Sequence, residues 1–279
     1  MNLSQLLAHF KTELNDVYEE EEVKSIFSVT VEHLLKLNRS SLMMNWDKEL
    51  NPEEEARFLS VAAGLKVQKP IQYLLGEAYF YGSFFKVNEA VLIPRPETEE
   101  LVDWILEENI TNKKVIDFGT GSGCIAISLK KQGKAVAVTA VDISEAALAL
   151  AKENALKLEA EVNFIHADIL NLNIEGEFDI IVSNPPYITG TEMAEMHQNV
   201  LAHEPHLALF VPDERPLLFY EAIADFAVTH LKVNGRLFFE INEYLSEETI
   251  QMLKDKGFTD ITLRKDMQGK PRMILATRD

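Results

Sequence analysis

Residues 113–123 read KKVIDFGTGSG, an apolar strand followed at once by a glycine-rich turn. The next stretch, SGCIAISLKKQ, has the apolar spacing of a helix, so the turn joins a strand to a helix. Glycine permits the backbone of a tight turn and lets a ligand approach the main chain closely. The GxGxG spacing is shorter than the GxGxxG that cradles a pyrophosphate, and it favours a nucleoside ligand without phosphates.

The chain beyond this turn alternates between strand and helix patterns. Strands such as KAVAVTAVDI and FDIIVSNPPY alternate with helical stretches such as SEAALALAKENALKLE. Apolar strands in this alternation predict a parallel sheet covered by helices on both faces. The last two strands, DITLRKD and RMILATR, are joined by the tight turn MQGK and are therefore expected to be antiparallel.

The chain before the turn divides into two further segments. Residues 1–69 are predicted to be a small helical domain, because apolar side chains recur at helical spacing and Asn51-Pro52 resembles a helix start. Residues 70–90 are rich in aromatics and glycine, and their stretches YLLGEAYFYG and SFFKVNEAVLI predict a β-hairpin linker. The sheet domain is then expected to span residues 91–279.

Composition limits the classes of protein that fit. The 279 residues are 47% hydrophobic, and 27 basic against 45 acidic side chains give a formal charge of -18. Such a surface repels phosphate backbones at long range and counts against a dedicated nucleic-acid binder. The single cysteine, Cys124, fits a reducing compartment. No apolar run is long enough for a membrane span, and the first residues do not resemble a signal peptide.

Two aspartates follow the second and third strands of the predicted sheet. Asp142 comes about 20 residues after the glycines, where an acid can accept hydrogen bonds from both ribose hydroxyls. Asp168, followed by Ile169, can reach the edge of an adenine ring, but it can equally cap a loop or helix. The glycine turn, the strand and Asp142 together predict a nucleoside-binding site.

The fourth strand is followed by Asn184-Pro185-Pro186-Tyr187. Two prolines stiffen this turn and leave its carbonyls free to accept hydrogen bonds. The Asn184 side-chain oxygen and the Pro185 carbonyl can hold both N–H groups of a planar NH₂ group, and Tyr187 offers a flat face. Such an arrangement orients a weakly nucleophilic nitrogen without a strong base, and a hydroxyl substrate would leave acceptors unpaired.

These features together resemble the class I S-adenosylmethionine-dependent methyltransferases. The resemblance implies a seven-stranded, Rossmann-like sheet with an antiparallel last strand, and a glycine loop that holds the methionine part of the cofactor. A Rossmann dehydrogenase is the rival interpretation, but the short glycine spacing and the antiparallel end argue against it. An NPPY turn resembles the amino-methyltransferases, which act on exocyclic base nitrogens or on glutamine amides.

The linker narrows the resemblance to one family. Residues 72–77 (QYLLGE), 91–99 (VLIPRPETE) and 203–205 (HEP) closely resemble the PrmC/HemK family, whose members methylate the N5 atom of a glutamine in the Gly-Gly-Gln loop of peptide chain release factors. The resemblance covers nearly the whole chain. It departs from the family pattern after Leu209, where the sequence reads FVPDERPLLFY, and at Asn242, where a glycine is common.

The resemblance implies a set of site residues and a reaction. The implied catalytic residues are Asn184, Pro185 and Tyr187. The implied substrate-binding residues are Asn184, Pro185, Pro186, Tyr187 and Phe85. The implied cofactor-binding residues are Gly119, Thr120, Gly121, Ser122, Gly123, Asp142, Asp168, Ile169 and Asn184. The glutamine nitrogen is expected to displace the methyl group of S-adenosylmethionine directly, leaving S-adenosylhomocysteine, with no metal.

Several residues near these motifs keep two interpretations. Arg95 either shapes the pocket wall or forms a structural salt bridge, and Glu97 either lines the pocket or begins a helix. Glu240, at a strand end, is expected to act in structural hydrogen bonding rather than in catalysis.

The alternative function is a DNA or RNA amino-methyltransferase, but no basic recognition domain is evident. The enzyme is expected to be cytoplasmic and monomeric, with release factors as its partners and without direct contact to nucleic acid or membrane.

Overall fold

The structure, a computed structural model, describes residues 1–196 and 198–279. These residues form two compact units. The first unit comprises Met1–Glu77 and a short segment that ends at His203, and the second comprises Ala78–Met196 and Glu204–Asp279. The division into segments 1–69, 70–90 and 91–279 stays a prediction.

The described residues contain eleven α-helices and nine strands. The helices are α1 (Leu3–Leu14), α2 (Glu20–Leu35), α3 (Arg39–Met43), α4 (Pro52–Lys66), α5 (Ile71–Leu75), α6 (Pro96–Glu107), α7 (Cys124–Gln132), α8 (Glu145–Lys157), α9 (Gln198–His203), α10 (Leu218–His230) and α11 (Ser246–Asp255). The strands are β1 (Glu77–Phe80), β2 (Ser83–Lys86), β3 (Lys114–Phe118), β4 (Ala137–Asp142), β5 (Asn163–His166), β6 (Phe178–Ser183), β7 (Leu231–Glu240), β8 (Phe258–Lys265) and β9 (Pro271–Arg278).

The first unit is helical, as its apolar spacing predicts. Asn51 caps α4 through its side chain, Pro52 occupies the first turn, and Glu54 completes a capping box. Phe10 and Phe27 contact each other edge to face in the centre of this unit, where both are fully buried. The buried apolar faces of α1, α2 and α4 meet in this one core.

The hairpin predicted for the linker is present but starts later than expected. Strands β1 and β2 pair as a separate two-stranded sheet. The prediction of a strand from Tyr73 is wrong, because residues 71–75 form the short helix α5. Its apolar side chains Ile71 and Leu74 pack against the core of the first unit, and this burial overrides the strand pattern. Gly76 ends the helix in the left-handed conformation, at φ 73°.

The second unit is built on a seven-stranded sheet of order β5-β4-β3-β6-β7-β9-β8. Strands β3 to β7 are parallel, while β9 runs antiparallel to both of its neighbours, β7 and β8. The predicted sheet with an antiparallel last strand is therefore confirmed. In the register of the central strands, Phe118 lies opposite Val141 on β4 and Ser183 on β6. The loops that follow these three strands consequently emerge side by side.

Alternate residues of each strand enter two separate cores. One core lies between the sheet and helices α6 and α7, and includes Val115 and Phe238. The other lies between the sheet and helices α10 and α11, and includes Ile116 and Phe239. The period-2 separation is the pattern of a sheet covered on both faces. Across residues 1–196 and 198–279, no helix has the length and apolar character that a membrane crossing requires.

Candidate active site

A cavity of about 420 Å³ lies at the carboxyl ends of β3, β4 and β6 within the second unit. Its volume falls in the ordinary range for small-molecule sites. The residues that line it include most of the predicted cofactor-binding set: Gly119, Thr120, Gly121, Ser122, Asp142, Asp168, Ile169 and Asn184. Pro186 lines it as well. Ligands of open parallel sheets bind at this edge, so the fold brings the two predicted motifs to one site.

The glycine turn is tied to the neighbouring strand through Asp142. Oδ2 of Asp142 accepts a 2.8 Å hydrogen bond from the backbone N–H of Gly121, and Oδ1 accepts one of 2.9 Å from Ser144. Burial raises the pKa of the Asp142 carboxyl, and these backbone hydrogen bonds oppose that shift. Each oxygen keeps a second lone pair, so the carboxylate can still accept hydrogen bonds from a ligand.

The loop also leaves space and an unpaired polar atom at the cavity. A Cβ atom added at Gly121 would have no protein atom within 4 Å. Among the described residues, Ser122 Oγ is one of two buried side-chain oxygens without a hydrogen-bond partner, and Ser122 lines the cavity. A nucleoside that carries a polar substituent fits this arrangement, because it can fill the space beside Gly121 and form a hydrogen bond with the Ser122 hydroxyl.

Gly123 belongs to the same loop but faces the protein. It lies outside the cavity lining, at φ 82°, and starts helix α7. A Cβ atom here would come within 2.8 Å of Ile127 Cδ1 and 3.3 Å of Ala151 Cβ. Gly123 therefore allows close packing of α7, and the cofactor contact predicted for it is not present in this cavity.

Asp168 combines both of its predicted interpretations. Its Oδ1 atom accepts a 2.9 Å hydrogen bond from the backbone N–H of Leu170 and so caps the short 3₁₀ turn Ile169–Asn171. The same residue lines the cavity beside Ile169. One oxygen therefore orders the turn, and the other remains for a ligand.

The Asn184 side chain lines the cavity and is held by a hydrogen bond to Thr98. Its Nδ2 atom donates to Thr98 Oγ1 over 3.4 Å, and the Thr98 hydroxyl donates to Glu240 Oε2 over 2.6 Å. Thr98 itself lines the cavity, at the start of α6. The side-chain amide of Asn184 is thus connected to a buried carboxylate through one hydroxyl.

Pro185 and Tyr187, unlike Pro186, lie outside the lining of the cavity. Pro185 is buried. The Tyr187 hydroxyl donates to Glu240 Oε1 over 3.4 Å, and its carbonyl accepts from Asn242 Nδ2 over 3.1 Å. The predicted contact of Tyr187 with substrate stays a prediction, while its measured contacts hold the turn in place.

Phe85 lies outside the lining of this cavity. Its side chain is fully buried, contacts Phe80 edge to face at 5.9 Å between ring centroids, and belongs to the core under α6 and α7. The substrate contact predicted for Phe85 is not seen at this cavity and stays a prediction. Strand β2 alternates buried and exposed residues, and Phe85 falls on its buried face.

One wall of the cavity is held by an ion pair. Arg95 and Glu204 form a short salt bridge, and the second Glu204 oxygen accepts from the backbone N–H of Ile93 over 3.2 Å. The Glu204 side chain is 1% exposed and that of Arg95 is 35% exposed. The salt-bridge interpretation of Arg95 is confirmed, although Arg95 also lines the cavity. The pair fixes the IPRPE segment beside the residues that follow Glu204.

Two of the residues that shape the site, Thr98 and Asn242, were given no role from the sequence. Thr98, in the middle of the IPRPETE motif, gives no signal that it contacts Asn184. Glu240 was expected to form structural hydrogen bonds, which is confirmed. Asn242, seen only as a departure from a glycine, donates to the Tyr187 carbonyl and to both Glu192 oxygens, at 2.9 and 3.1 Å. Asn242 therefore links the NPPY turn to the residues that follow it.

Comparisons with known proteins agree with this fold. Two solved structures share it at low sequence identity. A methyltransferase from Pyrococcus furiosus is 17% identical, with a TM-score of 0.55, and covers 82% of this chain and 99% of its own. A 16S rRNA methyltransferase from T. thermophilus is 21% identical, with a TM-score of 0.54 over 73% of this chain and 50% of its own.

The sheet, the glycine turn and the cavity define a class I S-adenosylmethionine-dependent methyltransferase. Family models match in two places: the methyltransferase small domain over residues 97–208 and the PrmC N-terminal domain over residues 5–76. A release factor glutamine methyltransferase of Flavobacterium psychrophilum is 47% identical over 96% of this chain and 98% of its own. One from Bacteroides thetaiotaomicron is 43% identical over 99% and 100%. The chain belongs to the family of release factor glutamine methyltransferases.

Proposed function

We propose that this protein transfers a methyl group from S-adenosylmethionine to the side-chain amide nitrogen of the glutamine in the Gly-Gly-Gln loop of peptide chain release factors. The family membership of the whole chain supports this proposal, since the relatives are named for that reaction. The observation that carries it is the position of Asn184. This side chain lies in the same cavity as the glycine turn and Asp142, with its amide nitrogen already directed at Thr98.

The cofactor, when bound, supplies an electrophilic methyl group on a sulfonium. We assign the ribose hydroxyls to Asp142 and the polar end of the methionine part to the loop around Ser122. The residue types support this assignment, because a carboxylate accepts from hydroxyls and an unpaired buried hydroxyl needs a partner. Asp168 and Ile169 would hold the base.

The chain contributes orientation to the reaction. We assign the two N–H groups of the glutamine amide to the Asn184 side-chain oxygen and the Pro185 carbonyl. An amide nitrogen is a poor nucleophile, so alignment of its lone pair is the main source of rate, for which intramolecular positioning can supply roughly 7–11 kcal/mol. The nitrogen loses its proton once the new carbon–nitrogen bond has formed, so no strong base is required beforehand.

The first unit is proposed to recognise the release factor. Glu19–Glu22, at the start of α2, are exposed, and the whole chain carries a formal charge of -18. An acidic surface complements a protein that itself contacts ribosomal RNA and therefore carries basic residues. If this is so, Glu19→Gln with Glu22→Gln should weaken release factor binding and leave cofactor affinity unchanged. Unaltered release factor affinity would remove this part of the proposal.

We further propose that the enzyme acts in the cytoplasm as a monomer and does not contact nucleic acid directly. The single cysteine supports a reducing compartment. The excess of acidic residues supports a protein substrate over a phosphate backbone.

The proposed function can be tested by mass spectrometry of a release factor incubated with the enzyme and S-adenosylmethionine. The expected result is one added methyl group on the loop glutamine, and none on a release factor with alanine at that position. Asn184→Ala should reduce the rate at least about a hundredfold while the cofactor still binds. Asn173→Ala, at an exposed position outside the cavity, is the matched control. Methylation at another residue, or full activity of Asn184→Ala, would contradict the proposal.

A further inference from the structure

A buried carboxylate stands behind the amide site. Glu240 ends strand β7 and is 2% exposed. Both of its oxygens accept from hydroxyls: Oε2 from Thr98 over 2.6 Å and Oε1 from Tyr187 over 3.4 Å. Buried carboxylates are costly unless they are paired in this way. The two donors come from α6 and from the NPPY turn, so Glu240 joins the elements on either side of Asn184.

The charge of Glu240 sets the direction of the hydrogen bonds. A hydroxyl has one proton, and Thr98 donates its proton to Glu240 Oε2. The Thr98 oxygen can then only accept from Asn184. An amide presents either its NH₂ group or its oxygen to a neighbour, and only the NH₂ group donates. The Asn184 nitrogen must therefore face Thr98, which leaves its oxygen for the substrate.

Two hydroxyl donors and the positive charge of Arg272 lie around the Glu240 carboxyl and partly offset the cost of burying its charge. Burial raises the pKa of the Glu240 carboxyl overall, and the charge of Glu97 adds to this rise, although the Thr98 hydrogen bond and the positive charge of Arg272 oppose it. Burial also raises the pKa of the Tyr187 hydroxyl above its usual range, which keeps that hydroxyl protonated as a donor. Arg272 is itself held by Asp266, whose Oδ2 accepts from its Nε over 3.2 Å.

We propose that Thr98 and Glu240 are positioning residues that make this site selective for a carboxamide over a carboxylate. With the Asn184 oxygen presented, a glutamine NH₂ group finds an acceptor, whereas a glutamate side chain meets an oxygen and is repelled. We call the two hydrogen bonds from Asn184 to Thr98 and from Thr98 to Glu240 the relay. Without it, the Asn184 amide could turn over and present its NH₂ group. That group would bind a glutamate carboxylate as well as the Asn184 oxygen binds a glutamine NH₂ group. This inference rests on the proposed function, because it takes glutamine as the substrate.

The test compares two forms of one release factor. One has the native glutamine in its Gly-Gly-Gln loop, and the other has glutamate in place of that glutamine. Their affinities are measured by calorimetry with S-adenosylhomocysteine present, for the native enzyme, Thr98→Val and Thr98→Ser. Thr98→Val keeps the shape and removes the hydroxyl, and it should reduce the preference for glutamine by roughly tenfold. Thr98→Ser restores the hydroxyl and should keep the preference within about twofold of native.

A purely structural role would lower both affinities together and leave their ratio unchanged, and that result would overturn the inference. So would an equal loss of preference in Thr98→Ser. If Thr98→Val does not unfold cooperatively, Thr98→Ala serves as a second hydroxyl-free variant with the same expected ratio. Methylation of the glutamine form by the native enzyme is measured separately. If the native enzyme does not methylate the glutamine form, the result counts against the proposed function. If the enzyme is active but the ratio of the two affinities does not change in Thr98→Val, the result counts only against the relay.

Discussion

The backbone N–H of Gly121 donates a 2.8 Å hydrogen bond to Oδ2 of Asp142. This contact joins the turn after β3 to the end of β4, so one carboxylate orders the loop and faces the cavity at the same time. A change at Asp142 is therefore expected to affect both the loop and the ligand. The two effects can be separated by measuring cofactor affinity and stability on the same variants.

Asp142→Ala should weaken S-adenosylmethionine binding by about 100-fold or more, because it removes two charge-assisted hydrogen bonds that contribute about 1.5 kcal/mol or more each. Calorimetric titration with the cofactor would measure this loss. Glu175→Gln removes the same charge at an exposed position outside the cavity and should bind the cofactor like the native enzyme. Equal affinities for Asp142→Ala and the native chain would contradict the assignment of Asp142.

Two glycines of one loop should respond differently to alanine. Gly121→Ala places a methyl group in open space beside the cavity, so cofactor affinity should fall while stability falls by only about 1 kcal/mol for the left-handed backbone. Gly123→Ala places it 2.8 Å from Ile127 Cδ1 and should destabilise the fold by more, about 2–3 kcal/mol. Urea unfolding and cofactor titration of both variants would measure the contrast. The reverse ranking would show that the two sides of the loop are assigned wrongly.

Breaking the pair between Arg95 and Glu204 should destabilise the second unit. Arg95→Met leaves the buried Glu204 carboxylate with only its hydrogen bond from Ile93, and a loss of about 1–3 kcal/mol is expected. The matched control is Arg215→Met, because Arg215 pairs with Glu221 at the surface, where such a pair contributes about 0–1 kcal/mol. Chemical denaturation would measure both. A similar loss of unfolding free energy in the two variants would mean that the burial of Glu204 does not make its ion pair more stabilising than the surface pair.

Stability should depend on pH through Asp117. Burial, with the nearby charge of Asp142, raises the pKa of this carboxyl from 3.8 to about 7, although a hydrogen bond from Thr120 opposes the shift. Between pH 3.8 and about 7 the folded state therefore binds more protons than the unfolded state, and its stability falls as the pH rises. Each pKa unit corresponds to about 1.4 kcal/mol, so the full shift corresponds to about 4 kcal/mol.

Asp117→Asn removes this titration. The difference in unfolding free energy between the variant and the native chain should move in favour of the variant as the pH rises from about 4 to about 7, and then stay constant. Urea titrations across this range would measure it, with Asp16→Asn, at an exposed position, as the control. A difference that does not change with pH would show that Asp117 does not titrate in this window.

The sequence predicted the sheet and the location of the site because both depend on local patterns. The glycine turn, Asp142 and the NPPY turn each follow a strand, and parallel strands end at the same edge, so their meeting at one cavity could be expected. The antiparallel β9 could be expected from the tight turn that precedes it. Asn51 and Pro52 marked the start of α4 in the same local way.

The support behind the site was not predictable, because it joins residues far apart in the chain. Thr98 and Glu240 are 142 positions apart, and only the completed sheet brings them into contact. The burial of Phe85 was not predictable either, because an aromatic residue in a short hairpin can face either side, and here its ring packs against Phe80. Residues 71–75 became a helix because burial against the first unit's core outweighed their strand pattern.

The position of β9 between β7 and β8 has a consequence during synthesis on the ribosome. Domains emerge from their N-terminal side, yet β7 cannot acquire its second neighbour until residues 271–278 have been translated. Met273 of β9 pairs with Glu240, so the backbone that carries this carboxylate gains its partner strand only at that late moment. A nascent chain that stalls before β9 therefore leaves open edges on β7 and β8, and such edges are templates for pairing with other chains.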